Sequence, residues 1–283
     1  MYRCRMLPSL ASVTHDTVVT YPDGDLTSAS TVVHAEELPD GRYAVLLDRT
    51  AFHPVDHTWP DQGADRGTLG GQPVLDAIVG ATDGTTLYVG RDIPVRKGEP
   101  GWAFVVVHIV ERLVEGEVEV VVDEAYRTAL STGHTACHLA SLALNHALAG
   151  AWSKEVPFDA AGSPNFDALA IETSTIVPDG SVDVYRVGKS LRKKGFVPSA
   201  LDGEIEAAAN TRLDELLASH APVAIEREGL GLADRRFWVC GDYRIPCGGT
   251  HGSSVDDLGA LAIRLEVTQL EGAIELVMTT SRR

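Results

Sequence analysis

No stretch of this sequence approaches the roughly 18 consecutive apolar residues that a membrane-spanning helix needs, so a chain that threads a bilayer with helices is excluded. Residues Met1 to Asp16 also lack the apolar core of about 7 to 15 residues that marks a secretory signal, and the expected location is the cytoplasm. Cysteine is scarce: Cys4, Cys137, Cys240 and Cys247 have no regular spacing, which excludes a disulfide framework and leaves buried thiols or metal ligands. Positive charge is scarce too. With 24 Lys and Arg against 40 Asp and Glu the net charge is −16, which excludes a broad nucleic-acid footprint, because phosphate binding draws on clustered cations. Lys189, Arg192, Lys193 and Lys194 form the single dense basic run; it reads either as a solvated surface loop or as a contact for a phosphate backbone. Two hydrolase signatures are missing as well: no HExxH supplies the general base of a zinc protease, and no GxSxG supplies a serine elbow. There is no internal repeat and no low-complexity tract.

What is present is enough apolar content, 44% of 283 residues, to bury a substantial core. Short strand-like runs separated by Gly and Pro turns recur to about residue 115, among them Thr17–Thr20, Thr31–His34, Tyr43–Asp48, Thr85–Val89 and Trp102–Val107. That pattern predicts a small β-barrel over residues 1–115. Residues 116–283 mix helix with strand and predict an α+β domain, with a strand at Glu117–Asp123, a hairpin near Val177–Val182, a helix over roughly 202–219 and a closing strand pair.

The densest chemistry is in Gly133-His134-Thr135-Ala136-Cys137-His138. On a helix, positions i and i+4 share a face, so His134 and His138 aim two imidazoles at one point. Thr132 is the expected N-cap and Gly150 the expected C′ residue, with a body over 133–149 that is apolar on most faces and therefore buried. Two more ligand types stand far along the chain in Cys247-Gly248-Gly249-Thr250-His251. One thiolate and three imidazoles suit zinc better than the oxygen-seeking cations. A second HxxxH, His53 and His57, spans Pro54, which works against a helix and removes the i,i+4 geometry; loop or rim histidines are expected there. His146 reads as a packed or surface residue. Cys137 and Cys240 read as buried, inert thiols rather than nucleophiles.

Taken together, His134-Thr135-Ala136-Cys137-His138-Leu139, the preceding Val122-Asp123-Glu124-Ala125-Tyr126-Arg127 and the Pro246-Cys247-Gly248-Gly249-Thr250-His251 turn resemble the editing domain of alanyl-tRNA synthetases and its free-standing relatives, the AlaX proteins. The threonyl-tRNA synthetase editing domain is a more distant likeness. In the front half, Leu46–Pro54 and Asp61–Leu69 are similar to the family's N-terminal β-barrel, so the resemblance covers nearly the whole chain. It implies a zinc-dependent esterase that deacylates mischarged tRNA in trans, chiefly seryl or glycyl esters on alanine tRNA, with His134, His138, Cys247 and His251 as ligands. Where relatives carry Gly-Gly-Gln near the substrate, this chain has Pro60-Asp61-Gln62: Gln62 is retained as the candidate substrate contact and both glycines are absent.

Zinc at such a site polarises an ester carbonyl and lowers the pKa of a coordinated water toward ~7, so zinc-bound water is the expected nucleophile and no catalytic side chain is assigned. Four protein ligands are also the count of a closed structural site. A loose ligand, a fifth coordination position or a purely positioning metal are the three ways to reconcile the two. Besides tRNA editing, the residues are compatible with hydrolysis of another small ester or amide, and with a non-catalytic module that keeps zinc for structure.

Overall fold

A computed structural model describes residues 9–283, a mixed α+β chain; Cys4 lies outside the described residues. Contacts divide the chain into two compact units. The first holds the chain through Arg127 together with Arg227–Arg236 and Gly248–Thr250; the second holds Thr128–Glu226, Phe237–Cys247 and His251–Arg283.

The first unit contains β1 (Val18–Val19), β2 (Thr27–Glu37), β3 (Tyr43–Leu47), β4 (Arg49–Thr50), β5 (Gly67–Leu69), β6 (Gln72–Thr82), β7 (Leu87–Val89), β8 (Ala103–Val110) and β9 (Glu117–Val122). Seven of these form one sheet in the order β5-β9-β2-β3-β8-β6-β7, and β5 also pairs with β6 through Thr68↔Pro73 and Leu69↔Gln72. Side chains alternate across a strand, and the two central strands bury both faces. In β8, Phe104, Val106 and Val110 enter one apolar cluster while Ala103, Val105, Val107 and Ile109 enter another; in β3, Val45 and Leu47 face the first and Ala44 and Leu46 the second. Burial on both sides is why these strands read as unbroken apolar runs rather than alternating ones. The segment that contains His53 and Pro54 is irregular and bridges the sheet from Val55 to Ile78, while the neighbouring Phe52 packs into the apolar cluster of β3 and β8.

A buried ion pair ties two distant motifs of this unit together. Arg127 donates from Nε to Asp65 Oδ1 at 2.7 Å and from Nη2 to Asp65 Oδ2 and to the Ala51 carbonyl, while Asp65 Oδ2 also accepts the His53 amide. Each fully desolvated charge thus has a partner, which burial of charge demands.

The second unit takes most of the long helix α1 (Glu124–Ala147) and adds α2 (Phe166–Ala170), β10 (Ile171–Val177), β11 (Gly180–Val187), α3 (Lys189–Lys193), α4 (Ile205–Leu217), β12 (Val223–Arg227), β13 (Arg236–Cys240), β14 (Tyr243–Pro246), β15 (Leu261–Leu270) and β16 (Ala273–Arg282). An antiparallel sheet runs β10-β11-β16-β15, and a second runs β12-β13-β14. Leu139, Leu142, Leu144 and Leu148 of the α1 region share one core with Tyr185, Leu213, Trp238, Leu276 and Met278. Each such leucine contributes about 1.5–3 kcal/mol of transfer free energy. The edge of β15 is closed by α4: Asn210 accepts the Ile263 amide at 2.9 Å and donates to the Ile263 carbonyl at 2.8 Å, and Glu206 accepts the Leu265 amide at 2.9 Å. Among the described residues no helix is long and apolar enough to cross a membrane.

Helix α1 starts earlier than the sequence suggested. Asp123, not Thr132, caps it, accepting the Tyr126 amide at 3.0 Å on Oδ1, and Thr132 is buried inside the helix. Glu124 to Arg127 are good helix formers behind an acidic cap, so the helix extends back to them. At the other end the helix stops at Ala147 and Gly150 falls in a short 3-10 turn over Ala149–Ala151. The basic run is likewise not an extended loop: Lys189, Arg192 and Lys193 lie in α3, with Lys194 as its C-cap.

Candidate metal centre

Helix α1 delivers His134 and His138 from one face, one turn apart, with ring centroids 5.0 Å from each other in a stacked pose. The Cys247–His251 turn brings the remaining two groups. Cys247 Sγ lies 3.4 Å from His134 Nε2 and 3.2 Å from His251 Nε2, and the His251 ring centroid is 4.4 Å from that of His134 and 5.2 Å from that of His138. One donor atom from each of the four side chains falls within 4.8 Å of all the others. His134 is buried and the other three are half-buried.

The donor chemistry fits a metal ion. Burial depresses the pKa of His134 to about 3 and holds that of His138 well below its usual value, with His134 as a second cause for His138, so both imidazoles are neutral and keep a lone pair. His138 Nε2 is buried with no hydrogen-bond partner, an arrangement that costs free energy unless something accepts that atom. This cluster of three imidazoles and a thiol could bind a metal ion.

Two further residues at the cluster carry no motif of their own. Trp238, fully buried in β13, packs its ring 4.9 Å from His138 and 6.2 Å from His251, forming an apolar wall. Thr135 places its hydroxyl 3.2 Å from His251 Nδ1. Thr135 was readable as a neighbour of His134 on the same helix; Trp238 had no local signal, since an aromatic in a strand ordinarily means core.

The other residues singled out in the sequence are placed as follows. Gln62 is buried, donating from Nε2 to Thr250 Oγ1 at 2.8 Å and accepting the Thr250 amide on Oε1 at 3.0 Å. Asp61, which precedes Gln62, has its carboxyl pushed up to about 6, chiefly by burial. His53 is buried with its ring edge-on to Tyr21 at 5.0 Å, and His57 packs against Gly90; neither joins the metal-type cluster. Lys189, Arg192, Lys193 and Lys194 are exposed, and His146 is exposed on α1. Cys137 faces Asp183 at 3.5 Å, and burial together with that carboxylate pushes its thiol well above the ordinary range; burial also raises that of Cys240. Both thiols are therefore protonated and poor nucleophiles.

No model of a known protein family matches the chain. Among curated proteins it is similar to the alanyl-tRNA editing protein AlaX-M of Pyrococcus horikoshii, with 31% identity over 219 residues that cover 76% of this chain and 77% of that protein. At that identity and coverage, and with the paired histidines of α1 converging on the Cys247–His251 turn, the chain belongs to the AlaX-type family of alanyl-tRNA editing proteins.

Proposed function

We propose that this protein is a zinc-dependent deacylase that removes serine or glycine from mischarged alanine tRNA in trans. The observation that carries the reading is the convergence of His134, His138, Cys247 and His251 within 4.8 Å, in a chain related to an alanyl-tRNA editing protein. These four residues would hold the zinc ion. Zinc bound there supplies Lewis acidity toward the ester carbonyl and the means to activate water at neutral pH. The protein's own part is to keep His134 and His138 neutral by burial and to wall the cluster with Trp238.

The exposed cations Lys189, Arg192, Lys193 and Lys194 are proposed to contact the tRNA backbone, their positive charge standing out against a net −16. Gln62, committed to Thr250 on both ends of its amide, is assigned a positioning role toward the Cys247–His251 turn as well as its place in the substrate-side motif. For the first unit we propose a small barrel, a reading supported by the extra β5–β6 pairing. A cytoplasmic site of action accords with such a substrate.

The test is hydrolysis of seryl-tRNA for alanine beside correctly charged alanyl-tRNA, using zinc-loaded protein and a His138→Ala control. Selective release of serine that requires His138 is the expected result. No release from folded, zinc-replete protein overturns the editing reading and points instead to a small ester or a binding role.

A further inference from the structure

The hydroxyl of Thr135 has three polar neighbours, and its chemistry assigns a direction to each contact. A threonine hydroxyl has one proton to donate and two lone pairs to accept with. The Ser131 carbonyl, 2.9 Å away, can only accept, so it takes the proton. The Gly252 amide, 3.3 Å away, can only donate, so it occupies one lone pair. The remaining neighbour is His251 Nδ1 at 3.2 Å. With the hydroxyl proton already spent on Ser131, this bond forms only if His251 carries its proton on Nδ1. The Nε2 atom of the same ring is then bare, and it is this atom that lies 3.2 Å from Cys247 Sγ, inside the cluster.

We propose that Thr135 is a positioning residue: it locks His251 in the Nδ1–H tautomer and so turns a bare Nε2 toward the point shared with His134, His138 and Cys247. The inference deepens the metal-site reading and rests on it only for its purpose, since the tautomer is a property of the metal-free chain. Metal-bound imidazoles generally donate their second ring N–H to a carboxylate, a carbonyl or water, which sets both ring orientation and tautomer. Here the acceptor is a hydroxyl, which serves because its own proton is held by the helix carbonyl one turn back. The arrangement follows from two local spacings: Thr135 sits four residues after Ser131 on α1, and Gly252 directly follows His251.

The test is long-range nitrogen–proton correlation spectroscopy of the imidazoles in nitrogen-15-labelled, metal-free full chain at mildly alkaline pH, for the wild type, Thr135→Val and Thr135→Ser. The wild type and Thr135→Ser are expected to show His251 protonated on Nδ1, and Thr135→Val, which keeps the shape and loses the hydroxyl, is expected to shift His251 toward the Nε2–H form. In parallel, zinc affinity measured by competition with a chelating dye is expected to fall about 10- to 100-fold in Thr135→Val and to recover in Thr135→Ser. A wild-type His251 protonated on Nε2, or a folded Thr135→Val chain with unaltered tautomer and zinc affinity, overturns the proposal. A chain that shows the expected tautomers but binds no zinc upholds the assignment of Thr135 and overturns the metal reading instead, so the two failures are told apart.

Discussion

Gln62 and Thr250, 188 residues apart in the chain, hold each other by two hydrogen bonds: the Gln62 amide donates to the Thr250 hydroxyl at 2.8 Å, and the Thr250 backbone N–H donates to the Gln62 carbonyl oxygen at 3.0 Å. Both residues are buried, and Thr250 immediately precedes His251 in the chain. Gln62→Ala removes both bonds and leaves the buried Thr250 hydroxyl and amide without these partners, and is expected to cost about 1–3 kcal/mol of stability. The midpoint of urea unfolding measures it. An unchanged midpoint would mean that the pair is dispensable to the fold.

The Arg127–Asp65 pair is buried and hydrogen-bonded on both sides, so removing one partner strands the other charge in an apolar setting. Arg127→Ala and Asp65→Ala are each expected to destabilise by about 3–5 kcal/mol. The double variant is expected to lose distinctly less than the sum of the two, because the second substitution removes the stranded charge. A double-mutant cycle by chemical denaturation decides, and simple additivity would contradict the coupling.

Gly133, next to His134, tests packing against propensity. A Cβ at this position would stand 2.4 Å from the Val177 carbonyl oxygen and 2.5 Å from that of Gly180, both at the turn of the β10–β11 hairpin. By intrinsic propensity alone, Gly133→Ala would stabilise α1 by about 1 kcal/mol. Backbone oxygens cannot be displaced as a flexible side chain can, so the expected outcome is the opposite sign: a lower melting temperature than wild type. A higher melting temperature would show that the hairpin yields.

His108 gives the fold an acid-sensitive point in β8. Its pKa is lowered to about 4, first by burial, and it spans Thr50 Oγ1 at 2.9 Å and the Val45 carbonyl at 3.3 Å. The unfolded chain takes up this proton near pH 6.5 while the folded chain resists it until about pH 4. Stability from this group is therefore whole above about pH 6.5 and falls as pH drops toward 4, by on the order of 3 kcal/mol. Asp61 and Asp167, raised to about 6, act with the opposite sign over part of that range. The comparison is therefore the difference between wild type and His108→Gln: the unfolding free energy of the wild type should fall relative to that of the variant as pH drops from 6.5 to 4. Parallel pH profiles would remove His108 from this role.

Cobalt offers a spectroscopic check on the ligand set. With Cys247 among the ligands, one equivalent of cobalt is expected to give a thiolate-to-metal charge-transfer band that Cys247→Ser abolishes and Cys137→Ser leaves in place. Retention of the band in Cys247→Ser would move the thiol ligand elsewhere.

The sequence by itself determined what depends on short spacings. His134 and His138 share a helix face because four residues make about one turn. Cys247 and His251 meet because they close one short turn, and Pro54 keeps His53 and His57 from repeating the first pattern. The apolar runs at Tyr43–Asp48 and Trp102–Val107 announced strands of a mixed α+β chain, found as β3 and as β8, which runs on to Val110. Thr132 and Asp123 are both acceptable caps for α1 in isolation, and only the tertiary setting, which buries Thr132 and leaves Asp123 at the surface, chooses between them.

Tertiary structure alone decided the pairings between distant residues: Gln62 with Thr250, Arg127 with Asp65, Trp238 against His138, and Thr135 with His251. Hydrogen-bond satisfaction of buried groups carries no periodicity, so no spacing along the chain encodes it. It is settled when the core closes and each desolvated donor must find an acceptor.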